Sequence, residues 1–455
     1  MIVNGTIRTI PLIGPYDPDD VLAWTQEGPR TAGQFLADVS SLAEALPNHP
    51  TVLNLSQCRY RFVVGLAAAM IRHQVTLLPP SRTPNTIQRL IGEYPDSYAL
   101  LDQDDTIKGI ESLLIQLSHD HAGEAIVVPD IPVDQVVAVA FTSGSTGQPR
   151  PHPKTWGALT TVAQGTGLSL GISNRMPITV VATVPHQHMF GLEASVMLPI
   201  LHGLPIYAGR PLFPADVAAA LSEVRGRWLL VTTPLHLRAC VAERVAVSPG
   251  GLILSATAPL ARTLAEDAEQ LFQAEVHEIF GFTEAGSVAE RRTVEGDGWR
   301  PLQAVRVMQN DASCLVEAWY LPALVPVPDR VTVNRNGTFM VHGREEDQVN
   351  VAGHRVSLGE LNHKLLEVDG VQDGVFFMPD DGAGSVTRLM AFVVAPGKAS
   401  EDIQRSLRAS INPIFLPRPL FCVPSLPRNG TGKLPREVLR ELARQLGDKD
   451  AHHGA

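Results

Sequence analysis

The 455-residue chain has few cysteines and no excess of positive charge. Its four cysteines, at positions 58, 240, 314 and 422, lie far apart and form no C-x-x-C pair. This pattern argues against a disulfide framework or a zinc site and favours a reducing, cytoplasmic setting. The formal net charge of −10 argues against a general nucleic-acid binder, because such a protein needs a basic face.

Long apolar runs are also absent. No segment approaches the roughly 18 consecutive apolar residues of a membrane-spanning helix, and residues 1–8 lack the basic start and apolar stretch of a signal peptide. We therefore expect no membrane span. The composition is 44% apolar and 18% charged, which allows a large core and argues against global disorder. The length predicts two or more domains.

Short apolar runs typical of strands alternate with longer amphipathic or Ala/Leu-rich stretches typical of helices. The predicted strands are residues 51–55, 75–78, 136–141, 178–184, 228–232, 251–255 and 275–280. The predicted helices are residues 31–46, 61–73, 155–165, 215–225 and 261–273. Such alternation predicts an α/β fold with substantial parallel sheet, in which ligands bind at the loops that follow the strands.

The pattern changes near residue 300 and again after Gly343. Strands predicted at 305–316, 331–333 and 338–342 indicate a β-rich section. Beyond it, predicted helices at 358–366 and 400–411 and predicted strands at 374–378 and 388–394 indicate a small α+β domain with a loop-bearing end and a frayed polar tail. We therefore divide the chain into an N-terminal domain, residues 1–344, and a C-terminal domain, residues 345–455.

The most informative segment is a loop of hydroxyl residues and glycines directly after the apolar run 136–140. It reads Thr142-Ser143-Gly144-Ser145-Thr146-Gly147. Glycines let the backbone approach a ligand closely, successive N–H groups form an anion site, and hydroxyls add neutral donors. These properties favour a loop that wraps a polyphosphate, and the alternative is a polar surface loop. The spacing of a Walker A loop is absent.

Further motifs follow in order. They are Pro185-His186-Gln187-His188-Met189-Phe190-Gly191-Leu192, Ser255-Ala256-Thr257-Ala258-Pro259-Leu260, Phe280-Gly281-Phe282-Thr283-Glu284, the set Asp329, Gly343-Arg344 and Gly353, and the terminal loop that ends in Gly430-Thr431-Gly432-Lys433. The residues alone leave two alternatives open. His186 and His188 could chelate zinc, and Thr257 could cap a helix ahead of Pro259.

In this order the motifs resemble those of the AMP-forming adenylate-forming ligases, which include acyl- and aryl-CoA synthetases, adenylation domains of peptide synthetases and luciferase-like enzymes. The resemblance runs from residue 136 to residue 436. It implies a large domain that binds ATP and an acid, and a small mobile lid domain. It also implies the reaction. A carboxylate attacks the α-phosphate of MgATP and expels pyrophosphate, then a thiol attacks the acyl carbon and AMP leaves.

The resemblance also implies nucleotide-binding roles. The loop 142–147 would hold the β- and γ-phosphates of ATP together with Arg150, which stands where the family usually has Lys and has Lys154 nearby. The adenine would lie along Ala256, Thr257 and Ala258, and Asp329 would bind the ribose with help from Arg344. Thr283 would contact the α-phosphate. Glu284 would hold Mg²⁺, which prefers hard oxygen ligands.

The acid and thiol sites are implied in the same way. The acid pocket would be lined by His188, Met189, Phe190, Gly191 and Phe282. Gly353 would leave room for a pantetheine arm. The catalytic set would be Lys433, Thr283, Glu284 and His188, with the Lys433 ammonium stabilising the charge that develops as two anions react. Glu346 and Asn350 depart from the Asp and Lys that the family usually has near its hinge.

The largely apolar pocket motifs favour an aryl or medium-chain acyl acid over an amino acid, whose ammonium would need an acidic partner. Compact stand-alone ligases of this kind resemble enzymes that load carrier proteins in polyketide or aryl polyene biosynthesis. CoA and the phosphopantetheine of an acyl carrier protein are therefore both expected acceptors. The alternatives are an adenylate that is oxidised or passed to an amine, a kinase-like enzyme, and a degenerate adenylate-binding protein, which the departures at Glu346 and Asn350 favour.

Overall fold

The computed structural model describes residues 2–3, 6–117, 127–143, 149–310, 313–344, 348–351, 354–379, 389–428 and 434–453. Two large sheets with helices packed against them form most of this part of the chain. The predicted α/β class with parallel-rich sheets is confirmed.

The first sheet has six strands. In spatial order they are Pro149–Thr155, Val136–Ser143, Val75–Leu78, Thr51–Asn54, Ser97–Leu101 and Ser112–Leu114. All neighbours are parallel except the first pair, which forms an antiparallel hairpin. The hairpin strand Pro149–Thr155 lies at the edge, and its sequence explains why. Three alternate prolines lack the N–H that an inner strand would donate, so they fit only an edge strand.

The second sheet has nine strands. In spatial order they are Arg300–Pro301, Gly286–Arg292, Glu275–Phe282, Leu252–Ser255, Arg227–Thr232, Ile178–Ala182, Ile206–Tyr207, Val21–Thr25 and Gly28–Thr31. The six strands from Glu275–Phe282 to Val21–Thr25 are parallel, and the strands beyond them are antiparallel. The parallel strands are buried along almost their whole length, as their continuous apolar runs require.

The helices connect and cover these strands. Their bounds are Ala32–Ala45, Arg59–Ile71, Pro84–Glu93, Trp156–Ser169, Met189–Leu192, Leu198–His202, Pro214–Glu223, Pro234–Ala242, Arg262–Phe272, Leu358–Leu366, Ser400–Ser410 and Arg436–His453. The described residues also form a π-helical turn, Glu193–Met197, and a 3₁₀ turn, Pro413–Phe415. Within the described ranges, no helix combines the length and apolar character that a membrane crossing requires.

The β-rich section that follows the second sheet is confirmed, with one correction. The strand predicted at 305–316 is two antiparallel strands, Val305–Gln309 and Cys314–Ala318, with Val325–Pro326 beside them. The pair Asp329–Val333 and Phe339–Arg344 forms the next hairpin.

The C-terminal part contains a hairpin and a small three-stranded sheet. The hairpin strands are Gln348–Val351 and His354–Ser357, and the sheet strands are Asp373–Phe377, Met390–Val394 and Leu420–Cys422. The predicted helix at 358–366 has the observed bounds, because Ser357 caps its start by accepting a hydrogen bond from the Glu360 N–H. The predicted loop-bearing end is wrong for residues 436–453, which are helical. The division at residue 344 remains a prediction.

Candidate active site

Three of the predicted site motifs follow parallel strands of the second sheet. The strands Ile178–Ala182, Leu252–Ser255 and Glu275–Phe282 run in the same direction, and each predicted motif begins where its strand ends or within its last residues. Carboxyl ends of parallel strands meet at one edge, which is where open α/β sheets bind ligands. The chain therefore brings the His188 segment, the 255–260 turn and the Thr283–Glu284 turn to one edge of the sheet.

The predicted phosphate loop connects the two strands of the edge hairpin. Gly144, Ser145, Thr146 and Gly147 lie outside the described residues. On either side of them, Thr142 pairs with Arg150 and Ser143 pairs with Pro149 in the strand ladder. The predicted cation Arg150 thus follows the loop directly, opposite its first hydroxyl residue.

One face of the edge strand carries three basic residues, because Arg150, His152 and Lys154 alternate with prolines. His152 Nε2 lies 3.7 Å from Glu284 Oε1, and Lys154 Nζ donates a 3.1 Å hydrogen bond to the carbonyl oxygen of Glu284. Burial lowers the pKa of Lys154, and the carboxylates of Glu193 and Glu284 partly oppose that shift. Since Lys154 pairs with Ala138, four ladder positions from the Thr142–Arg150 pair, it does not act beside Arg150 at the loop.

Thr283 and Glu284 occupy the tight turn between the strands Glu275–Phe282 and Gly286–Arg292. The turn closes with a 3.1 Å hydrogen bond from the Ala285 N–H to the Phe282 carbonyl oxygen. The Glu284 side chain is 44% exposed, so its carboxylate faces solvent rather than the core. It fits Mg²⁺ as a hard oxygen ligand. The described residues contain no cluster of three or more His, Cys, Asp or Glu side chains that could hold a metal, so phosphate oxygens would have to complete the coordination.

The histidine segment turns sharply into the helix Met189–Leu192. A Cβ at Gly191 would collide with the carbonyl oxygen of Pro185, so this position accepts only glycine. His188 is half-buried at the helix start. His186 is buried, and its Nε2 lies 3.0 Å from the carbonyl oxygen of Ser56. This contact occupies one of the two ring nitrogens of His186, which is one of the two histidines of the alternative zinc site.

The turn after the strand Leu252–Ser255 is not helical. Thr257 has φ of +81°, and the next helix begins only at Arg262, with Ala261 before it. The alternative in which Thr257 caps a helix is therefore wrong. The turn is fixed to the neighbouring strand, because the buried Glu278 carboxylate accepts a 3.0 Å hydrogen bond from the Leu260 N–H.

Asp329 and Arg344, the two residues predicted to bind the ribose, are direct partners in the hairpin of the β-rich section. The fifteen positions between Asp329 and Arg344 are thus the length of one hairpin. Asn350 lies in the strand Gln348–Val351. Glu346, Gly353 and Lys433 lie outside the described residues.

A cleft lies between the carboxyl-end edge of the second sheet and the C-terminal part of the chain. It is lined by Thr233, Pro234, Leu235, Arg238, Thr257, Ala258, Pro259, Leu366, Asp373 and Arg428. Thr257 and Ala258 of the predicted adenine turn therefore share this cleft with Asp373 and Arg428 of the C-terminal part. Arg238 reaches across, with its Nη1 4.0 Å from Asp373 Oδ1.

Sequence reasoning missed two buried acids that support the site. Glu278 holds the 255–260 turn, and Glu193 holds the strand that follows Glu284 by accepting hydrogen bonds from the Ser287 N–H and hydroxyl at 3.1 and 2.6 Å. A signal was present for Glu193, which is the lone acid in the apolar run 189–197. An unpaired charge in such a run indicates a buried polar contact.

The sequence model of the family described as AMP-binding enzyme matches residues 31–317. Among curated proteins, a 4-coumarate–CoA ligase of Rhodobacter capsulatus is 29% identical over 272 residues, which cover 60% of this chain and 67% of the relative. A 4-coumarate–CoA ligase of Halorhodospira halophila is also 29% identical, over 314 residues that cover 64% of this chain and 73% of the relative.

Solved structures share the fold. An anthranilate CoA ligase in complex with anthranoyl-AMP superposes with a TM-score of 0.79 at 15% identity and covers 94% of each chain. An o-succinylbenzoate CoA synthetase from Bacillus subtilis with its acyl-adenylate intermediate superposes with a TM-score of 0.78 at 17% identity, covering 93% of this chain and 96% of that one. Since the matched regions include the C-terminal part, the likeness extends beyond the 31–317 span.

Proposed function

We propose that this chain, which belongs to the family of AMP-binding enzymes, is an AMP-forming acid–thiol ligase. It activates a carboxylic acid with ATP and passes the acyl group to a thiol. The observation that carries the proposal is the convergence of the His188 segment, the 255–260 turn and the Thr283–Glu284 turn at one sheet edge. The 4-coumarate–CoA ligases among its relatives support an acyl or aryl acid as substrate and CoA as acceptor.

ATP would bind across the two sheets. The loop 142–147 and Arg150 hold the β- and γ-phosphates, Ala256, Thr257 and Ala258 border the adenine, and Asp329 with Arg344 binds the ribose. Thr283 contacts the α-phosphate. Glu284 would hold Mg²⁺, which would neutralise phosphate charge during the displacement. The 3.7 Å approach of His152 Nε2 to Glu284 Oε1 supports this placement, because Arg150 lies on the same face of the edge strand as His152.

The acid would enter beside His188, Met189, Phe190, Gly191 and Phe282. In the first half-reaction, one carboxylate oxygen forms a bond to the α-phosphorus as the bond to pyrophosphate breaks. The chain contributes positioning and electrostatic stabilisation. The Lys433 ammonium would lie between the two anions and offset their repulsion.

In the second half-reaction, the thiol sulfur bonds to the acyl carbon, AMP leaves with the bonding electron pair, and the thiol proton passes to solvent. We place CoA first as the acceptor and propose the phosphopantetheine of a carrier protein as the alternative, since both present the same arm. Gly353 would border that arm. Residues 345–455 would form the mobile lid, with residues 1–344 as the ATP- and acid-binding domain.

Acid-dependent exchange between ATP and labelled pyrophosphate tests the proposal. Hydroxybenzoates, cinnamates, medium-chain fatty acids and amino acids form the panel, and mass spectrometry then identifies the thioester made with CoA or with a phosphopantetheinylated carrier protein. We expect exchange with aryl or acyl acids and a thioester with CoA. Release of ADP instead of pyrophosphate would indicate a kinase-like enzyme. ATP binding without exchange for any acid would indicate an adenylate-binding protein.

A further inference from the structure

Four polar side chains meet beside the predicted acid pocket, each from a different element of the fold. They are Lys154, Glu193, Ser287 and Tyr320. Lys154 is 5% exposed and Glu193 is 4% exposed, and the hydroxyl oxygen of Tyr320 is buried. Buried charges are costly unless they are paired or hydrogen-bonded, so such a cluster needs a physical reason.

The cluster adjoins the residues expected to line the pocket. Glu193 follows Met189 by four positions, so the two side chains lie on the same side of the helical segment, about 5–6 Å apart at their Cβ atoms. The Glu193 carboxylate also rests against Gly286, where an added Cβ would lie 2.6 Å from Oε1. Gly286 is the ladder partner of Phe282. Tyr320 packs in the cluster that contains Phe280 and Phe282.

Hydrogen-bonding capacity in the cluster is incompletely used by the described residues. Both bonds from Ser287 go to Glu193 Oε2, and no described residue donates to Oε1. The Lys154 ammonium has three N–H groups and donates one described bond, to the Glu284 carbonyl oxygen. The Tyr320 hydroxyl has no partner among the described residues. Glu193 Oε1 as an acceptor, the Lys154 ammonium as a donor and the Tyr320 hydroxyl therefore have capacity to hydrogen-bond a further group.

The two charges act on each other without touching. Burial raises the pKa of Glu193, while Ser287 and the Lys154 ammonium lower it. In the described part of the chain, no ion pair within 4.0 Å joins these two residues, although both are buried. A buried cation and a buried anion that do not pair directly suit a neutral group that donates to the anion and accepts from the cation.

We propose that Glu193, Lys154 and Tyr320 select an acid that carries a neutral hydroxyl group remote from its carboxylate, with a hydroxylated aryl acid fitting best. The hydroxyl donates to Glu193 Oε1 and accepts from Lys154 or Tyr320. A substrate ammonium would face Lys154, a second carboxylate would face Glu193, and an apolar end would leave all three groups unpaired. Phe280 and Phe282, which pack in the same cluster as Tyr320, favour an aromatic ring. This inference rests on the proposed ligase activity.

The test compares kcat/KM for acids that differ at one position. The set is benzoate, 4-hydroxybenzoate, 4-(aminomethyl)benzoate and terephthalate, with cinnamate and 4-hydroxycinnamate as a longer pair. We expect the hydroxylated member of at least one pair to exceed its parent roughly 100-fold or more, because a site built to bind a hydroxyl rejects an analogue that lacks it. The cationic and dianionic analogues should be poorer than the hydroxylated acid.

The variants Glu193→Gln and Tyr320→Phe should each reduce the ratio of kcat/KM for the hydroxylated acid to kcat/KM for its parent acid. The reduction should be roughly tenfold or more for Glu193→Gln. Glu290→Gln is the matched control, because Glu290 is a buried carboxylate on the strand that carries Ser287 and pairs with His277 instead of the cluster. Thermal melts confirm that each variant is folded. Glu290→Gln should show the same kcat/KM ratio as the unaltered protein.

Two outcomes would overturn this inference while leaving the ligase activity intact. One is exchange that is equally efficient with hydroxylated and unsubstituted acids. The other is a ratio that Glu193→Gln and Tyr320→Phe do not change although both lower the melting temperature, which would mean that internal water completes the cluster. Absence of exchange with every acid would instead contradict the proposed function itself.

Discussion

The Glu278 carboxylate accepts a 3.0 Å hydrogen bond from the backbone N–H of Leu260. Its second oxygen accepts from Arg291 at 2.6 Å and from the Thr293 hydroxyl at 2.7 Å. One buried acid, 2% exposed, therefore joins the predicted adenine turn to the strand that follows the Glu284 turn. Two segments that are predicted to bind the nucleotide are thus fixed to the same buried carboxylate.

We expect Glu278→Ala to lower the free energy of unfolding by about 3–5 kcal/mol, because it leaves the largely buried Arg291 without its carboxylate. It should also raise the KM for ATP more than the KM for the acid, because the 255–260 turn loses its support. Chemical denaturation measures the first effect, and steady-state kinetics at saturating co-substrate measures the second.

Glu269→Ala is the control for this prediction. Glu269 also pairs with an arginine through both oxygens, at 2.9 and 3.1 Å to Arg292, and accepts a bond from the Val276 N–H. It supports the start of a strand rather than the turn. Equal effects of the two variants on the KM for ATP would contradict a role for Glu278 in positioning.

Local sequence predicted the elements where one signal dominated. The strand 75–78 and the helix 358–366 were placed correctly because a β-branched apolar run and a Ser cap mark them. The apolar content of 305–316 concealed a break, because hydrophobicity alone does not show where a strand reverses. The terminal helix Arg436–His453 was missed because its polar composition is also typical of a tail.

The candidate site was predicted where residues lie together in the chain and was missed where they do not. The turn of Thr283 and Glu284 is a local motif. By contrast, Glu193 meets Ser287 across 94 positions, and Lys154 meets Glu284 across 130. The order of the strands in the sheets brings these pairs together, and the spacing of residues along the sequence does not predict that order.

Lys433→Ala should abolish acid-dependent ATP–pyrophosphate exchange and spare thioester formation from a supplied acyl-adenylate. The ammonium is proposed to act only while the carboxylate and the α-phosphate react, so its loss removes stabilisation of that transition state alone. Single-turnover assays of each half-reaction measure the two effects. Lys398→Ala, which removes a surface lysine paired with Asp369, should affect neither. Equal loss of both half-reactions would contradict the assignment of Lys433.

Arg238→Gln should change the balance between the two half-reactions by about two- to fivefold. Asp373 is held by Arg428 through both oxygens, at 2.7 and 2.8 Å, and Arg238 approaches the same carboxylate from the other side of the cleft. A single partly exposed contact is worth about 1 kcal/mol or less, so the change should be modest. Rapid-quench rates for adenylation and thiolation give the ratio. Arg262→Gln is the control, because Arg262 forms an exposed pair with Glu266, and it should leave the ratio of the two rates unchanged. An unchanged ratio for Arg238→Gln would show that the contact between Arg238 and Asp373 does not hold the predicted lid.

The protein should lose stability as the pH falls below about 6.5, the usual pKa of histidine. Burial lowers the pKa of His186 well below that value, and the guanidinium of Arg59 lowers it further. Burial also lowers the pKa of His202 and His236. The unfolded chain takes up protons at these rings over a pH range in which the folded chain does not. Each therefore favours unfolding by up to about 1.4 kcal/mol per pH unit below 6.5.

The contribution of His186 can be isolated by comparing urea unfolding at pH 7.5 and pH 5.5. In His186→Gln, the side-chain amide can still donate to the Ser56 carbonyl oxygen, which now accepts from the ring, but it cannot bind a proton. The variant should therefore lose roughly 1 kcal/mol less than the unaltered protein between the two pH values, whatever its stability at pH 7.5. His354→Gln, at an exposed position, provides the reference. If His186→Gln and the unaltered protein lost the same free energy, His186 would have to be protonated in the folded state, against the burial and the neighbouring arginine that surround it.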